Sequence, residues 1–340
     1  MRFKYLFKHK IGLALAGGGA KGAYQVGVFQ AMHELEINHL VKAVSGTSIG
    51  ALNGALFLLD DPKVWDETWN DADFDSFLHK KDKDETDKPK KTIKDLSGIL
   101  KKSLAKLEDD WDKSSSMSDF LLKQNLSMFS QEGLRNVIEK HVDFKKISKD
   151  KTNLYACAYN IDLLEPEYFH LNKRDEKTAQ DILLASSCIP FMYEPVEIGQ
   201  YRYMDGGIKS PFYKKENIDK IPVKPLYDEK CDIIIVIYLN HEDKIDFDPY
   251  KKILGNPDII EIYPTMSLED FKGTGTFDFT QSNLEERFEL GYHDAMLILA
   301  PMIVKLFQGK NFNSLIKRHN EYNEKIRKKH IKEKKKKQKK

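Results

Sequence analysis

An α/β fold with three layers, helices on both faces of a mainly parallel central sheet, is what the sequence predicts. Between Ile11 and Leu59 an apolar run of strand length, a helical face, a second apolar run and an all-apolar helical segment follow one another without a hairpin signal. Further along, Asp232 to Leu239 (DIIIVIYL) is too uniformly apolar for a strand with one wet face and must be covered on both. A chain of 340 residues, 41% of them hydrophobic, can bury one such core with decorations.

Taken in order, Ile11 to Ala16 has strand length and is ended by glycines. Tyr24, Val28, Ala31, Met32 and Leu35 share one helical face, which predicts a helix over 21–36. Val41 to Val44 is a short buried strand, and Ile49 to Leu59 a buried helix. The composition then shifts: residues 71 to 91 are charged and poor in core formers, an exposed linker. Beyond it Ile93, Leu96, Leu100, Leu104 and Leu107 form a helical stripe, either a lid packed on the body or an amphipathic helix facing a membrane. Together these make a charged helical insert over about 71–130. The body resumes with strands over Leu154–Tyr159 and Tyr168–Leu171, a helix from Asp175 to Ser186, and a hairpin across Gly199-Gln200. Helices follow from Leu284, with AMLILAPMIV from Ala295 expected as a buried helix. The chain thus divides into a basic, aromatic extension over 1–10, one domain over 11–310, and a tail over 311–340, read as a helix fraying into lysines.

Net charge is only +2, but residues 317 to 340 carry thirteen Lys and Arg against three Glu, which leaves about −8 for the rest. The basic tail suits an anionic membrane surface or simple solubility. It is poor in aromatics and has no recognition module beside it, so nucleic acid is not an expected partner. Cys157, Cys188 and Cys231 are scattered and form no C-x-x-C, which argues for a reducing compartment and against zinc or redox chemistry. The N-terminus resembles a secretory signal, yet cleavage near Ala20 or Ala23 would discard the glycine cluster. The expected location is the cytoplasm, with peripheral membrane association; secretion is the alternative. No run reaches the roughly 18 apolar residues of a membrane span.

The chemistry is concentrated in three places. LALAGGGAKGAY, from Leu13, contains G-x-G-x-x-G at Gly17, Gly19 and Gly22, which fits either a dinucleotide cradle or a set of amides around an oxyanion. A dinucleotide site needs an acid about 20 residues on, at the end of the second strand. Leu40 to Thr47 has none. The second strand delivers GTSIG instead, a G-x-S-x-G between strand and helix, with Gly46 and Gly50 letting neighbours approach Ser48 at a sharp turn. Gly17, Gly18 and Gly19 are therefore read as an oxyanion hole. The candidate base is Asp205 in YMDGG, where Gly206 and Gly207 allow the carboxylate to lie against another segment. His293 in GYHDA offers a triad alternative. No metal-binding motif is present, and no cofactor is expected.

GGGAKG, GTSIG and DGG, in this order, resemble the signature of the patatin-like phospholipase family. The stretch LASSCIPFMYEPVEI from Leu184 is similar to that family's small-residue segment before the aspartate strand. The resemblance covers roughly residues 9 to 240 without the insert. It departs from the family at DGGIKSP, which lacks an asparagine, and at the bulky Phe191. It implies a patatin-like fold and a Ser48–Asp205 dyad without a catalytic histidine, with Lys21 assisting the oxyanion or a substrate phosphate. The activity it implies is hydrolysis of lipid acyl esters, of phospholipase A or lysophospholipase type. Triacylglycerol or other carboxylic esters are alternative substrates, and a lapsed lipid-binding scaffold is the non-enzymatic alternative.

Overall fold

The computed structural model describes residues 9–72, 79–80, 129–190, 192–207, 218–269 and 275–338. The extension before His9 and nearly all of the charged insert, including the Ile93–Leu107 stripe, lie outside them. The first half of the core forms where the apolar runs and glycines dictate: β1 (Ile11–Leu15), α1 (Ala23–Glu34), β2 (Val41–Thr47) and α2 (Ile49–Leu59). Next is α3 (Pro62–Asp71), unforeseen in the sequence although well signalled. Asp61 caps it through the Lys63 amide, and Pro62 occupies its first turn.

After the insert come α4 (Glu132–His141), α5 (Phe144–Lys149), β3 (Asn153–Asn160) and β4 (Glu165–His170). Then follow α6 (Glu176–Ser186, capped by Asp175), β5 (Val196–Ile198) and β6 (Tyr201–Asp205). The chain continues through α7 (Lys224–Asp228), β7 (Ile233–Ile237), α8 (Asp248–Leu254) and β8 (Asp258–Ile262). Two long helices end it, α9 (Gln281–Phe307) and α10 (Asn313–Gln338).

The eight strands form one sheet, ordered β8-β7-β1-β2-β3-β6-β5, with β4 also on β3. From β8 to β3 every pairing is parallel, while β4, β5 and β6 add antiparallel partners. Successive residues of β1 face opposite layers: a Cβ on Gly54 of α2 would meet Leu15, while one on Gly12 would meet Leu226 of α7. The sheet is thus covered on both faces, and β7 is buried throughout, as its composition requires.

The register of β3 places the site. β4 pairs with residues 155 to 160 of β3 along one edge. β2 and β6 must therefore share the other edge end to end. Thr47 pairs with Cys157 and Asp205 with Ala158, so the parallel strand and the antiparallel one point their C-terminal ends at each other, one residue apart.

Two expectations are corrected. The Ala295 segment of α9 is buried on one side only: Ile298, Leu299 and Met302 pack inward, while Leu297 and Val304 are 65% and 54% exposed. The C-terminal segment is helical as far as Gln338 rather than fraying into its lysines. Its inner face closes the sheet edge. The Asn320 side chain accepts from the Glu261 amide (3.2 Å) and donates to the Ile259 carbonyl (2.8 Å), as a neighbouring strand would.

Candidate active site

Ser48 stands between β2 and α2 with φ +57° and ψ −129°, a left-handed backbone that a side chain adopts only under constraint. Close packing supplies the constraint. A Cβ on Gly46 would lie 2.2 Å from the Gly50 carbonyl oxygen, and one on Gly50 would lie 2.5 Å from that of Leu15. Any side chain at either position would push strand and helix apart. The Ser48 amide donates to Ser186 Oγ (2.8 Å), whose own hydroxyl donates to the Cys157 carbonyl (2.6 Å). Sequence reasoning did not find this role for Ser186, although its small-residue segment was noticed. The segment also fixes the acid, because the Asp205 amide donates to the Cys188 carbonyl (2.8 Å).

Asp205 ends β6 and is completely buried. The Ser48 side chain stands close enough to favour the ionised carboxylate, and the Gly207 amide donates to Oδ1 (2.7 Å). Burial pushes the carboxyl up from the usual 3.8 to about 6, against the Ser48 hydroxyl, the Gly207 amide and the charge of Lys220. Gly206 packs against Cys157, where a Cβ would lie 3.1 Å from the sulfur.

The glycine loop lies on the other side of Ser48: a Cβ on Gly17 would be 3.2 Å from Ser48 Cβ. One of the three expected oxyanion donors is corrected. The Gly17 N–H is committed to the Lys220 carbonyl (3.0 Å) and holds the loop instead. Among the described residues, the N–H groups of Gly18 and Gly19 have no acceptor. Gly19 has φ +57°, and a Cβ there would lie 2.2 Å from the Thr276 carbonyl oxygen, so only glycine fits. A buried polar chain steadies the loop from beneath. Asn53 donates to the Gly22 carbonyl and to Gln25, which in turn donates to the Ala16 carbonyl.

Residues 218–221 knit the three motifs together, and no sequence signal announced them. Lys220 holds Gly17, the Asp219 carbonyl accepts from the Thr47 hydroxyl (2.8 Å), and the Asp219 amide donates to the Gly206 carbonyl (3.0 Å). Lys21 is 3% exposed and lies in a charged cluster, donating to Asn240 Oδ1 (2.5 Å) and Glu269 Oε1 (3.3 Å). Burial lowers its pKa, with Glu269 opposing. His293 is far less engaged: its side chain is 71% exposed on α9, 3.8 Å from Glu289. Among the described residues, no group of three or more His, Cys, Asp or Glu is arranged to hold a metal ion.

A strained serine, a buried carboxylate and a glycine loop thus converge at the C-terminal end of β2. The sequence profile of the patatin-like phospholipases matches residues 13–213, a span that contains all three. The chain belongs to the patatin-like phospholipase family. Among curated relatives of this patatin-like chain, a lysophospholipase (nte1) of Aspergillus terreus is 52% identical over 50 residues. A neuropathy target esterase (sws) of Drosophila sechellia is 47% identical over 57 residues. These segments cover 15% and 17% of the chain but only 3% and 4% of those much longer proteins. VipD from Legionella pneumophila aligns over 88% of this chain and 67% of its own, with a TM-score of 0.45 and 16% identity. Human GIVD cytosolic phospholipase A2 aligns over 92% and 60%, with a TM-score of 0.40 and 10% identity. Among the described residues, no helix is long and apolar enough to cross a membrane.

Proposed function

We propose that this patatin-like protein is a lipid acyl hydrolase of phospholipase A or lysophospholipase type, working through Ser48 and Asp205. The reading rests chiefly on one observation: the strained Ser48 hydroxyl lies against a buried carboxylate raised to about 6. Ser48 Oγ attacks the ester carbonyl carbon while its proton passes to Asp205, and the carbonyl π pair moves onto oxygen. The Gly18 and Gly19 amides and the N-terminal end of α2 stabilise that oxyanion, each amide by about 3 kcal/mol. Collapse expels the alcohol, which takes the proton from Asp205. Water then repeats the sequence on the acyl-serine and releases the fatty acid.

The outer face of α10 supports a peripheral encounter with membranes. Lys325, Lys328, Lys329, Lys332, Lys335 and Lys336 are all exposed and recur at helical spacing along one stripe. Labelling with a fluorophosphonate probe tests the enzymatic reading. The wild type is expected to be modified at Ser48, Ser48→Ala to stay unlabelled, and Asp205→Asn to react about 10³-fold more slowly. A wild type that takes no label would be a lipid-binding scaffold instead.

A further inference from the structure

A cavity of about 540 Å³ opens beside the glycine loop. Its cations are Lys21 and Lys220 from the body and Lys334 and Lys335 from α10; its acids are Glu242, Asp243 and Glu269. Lys334 joins the two sources, 2.8 Å from Glu242 and 3.0 Å from Glu269, and Glu269 also holds the buried Lys21. Lys220 is the partition between this cavity and the reacting pair. Its carbonyl holds Gly17, its Cγ would be 3.1 Å from a Cβ on Gly207, and its ammonium stands in the cavity 2.8 Å from Asp243. In a glycerophospholipid, only glycerol carbons and the acyl oxygen separate the phosphate from the ester carbonyls. An ester at Ser48 therefore brings the phosphate to the far side of one lysine stem. The lining carries one more cation than anion, the complement of a phosphodiester's single negative charge.

We infer that this cavity is the headgroup subsite, taking the phosphodiester of a glycerophospholipid, with Lys334 and Lys335 of the C-terminal helix determining specificity. The inference rests on the hydrolase reading above and goes beyond it by placing the substrate's phosphate and naming the residues of the C-terminal helix that select it. On binding, Lys334 exchanges carboxylate for phosphate, and Lys335, at the mouth, adds a second cation. The carboxylates that remain set the limit: a phosphomonoester brings close to two negative charges and overfills the site.

The test compares two soluble esters, dihexanoylphosphatidylcholine below its micelle concentration and 4-nitrophenyl butyrate. For the Lys334→Gln/Lys335→Gln variant, kcat/KM on the phospholipid is expected to fall about tenfold relative to the nitrophenyl ester, through KM, with substantial recovery when both positions are Arg. Glycerophosphocholine should compete with the phospholipid at least tenfold better than inorganic phosphate does. Equal losses on both esters, or an unmoved phospholipid KM, would overturn the subsite. So would phosphate competing as well as glycerophosphocholine, which would mark a general anion site. A wild type that cleaves the nitrophenyl ester and not the phospholipid overturns the subsite and leaves a carboxylesterase. A wild type that cleaves neither and takes no fluorophosphonate label overturns the hydrolase reading, and the subsite with it.

Discussion

On the hydrolase proposal, Asp205 serves chemistry at the expense of stability. The carboxyl titrates near 6 when folded and near 3.8 when exposed, so the folded state holds its proton more tightly. The sign follows directly: this carboxyl's contribution to stability is most favourable below pH 4, declines as pH rises from about 4 to 6, and stays lower by roughly 3 kcal/mol above that. Asp205→Asn should therefore melt higher than wild type at pH 7.5, and the gain should shrink as pH falls toward 4. Equal melting temperatures at pH 7.5 would contradict the burial penalty. On that proposal the same titration governs activity, because only the carboxylate accepts the serine proton. With a non-ionising soluble ester, kcat/KM should rise tenfold per pH unit below about 6 and level off above it. A profile flat from pH 4.5 to 7 would assign the proton to another group.

Among the elements, the β2–α2 elbow and the glycine loop were legible because both depend on residues without side chains, and glycine is visible in a sequence. Their partners were legible only in part: YMDGG pointed to Asp205, but not to the route by which it arrives. Asp205 reaches Ser48 because β6 runs antiparallel and abuts β2 along β3, whereas the apolar runs spoke only for a parallel sheet. The 218–221 brace acts mainly through backbone carbonyls and amides, which any residue carries. The fate of the Gly17 amide was hidden for the same reason. Ser186→Ala removes the acceptor of the Ser48 amide and should lower kcat about tenfold while the protein stays folded. Unaltered kcat would mean that the elbow holds itself. Gly50→Ala should instead destabilise the whole chain by about 3 kcal/mol, read as a loss of chemical-denaturation midpoint, because backbone must move.

The whole molecule is closed by α10, whose sequence pattern conceals its function. Helical periodicity finds apolar faces, but the inner side here is largely polar, with Asn320, Asn323 and His319 satisfying the backbone of an edge strand. Lysines then dominated the reading, and a helix that runs to Gln338 was expected to fray. Truncation before α10 would uncover β8, so the membrane reading is better tested by charge. Replacing the six exposed lysines with glutamine should reduce binding to vesicles containing phosphatidylserine by about 1 kcal/mol per lysine near the surface, and most at low salt. Equal co-sedimentation of variant and wild type would remove the stripe from the account. The fold, the brace and the buried acid together amount to a claim about one bond, an ester between substrate acyl group and Ser48. Acid quenching of the protein during turnover of 4-nitrophenyl butyrate, followed by peptide mass spectrometry, tests it directly. A butyryl group on the peptide bearing Ser48, absent from Ser48→Ala, is the predicted result; turnover with acylation at a different residue, or with Ser48→Ala still active, would contradict it.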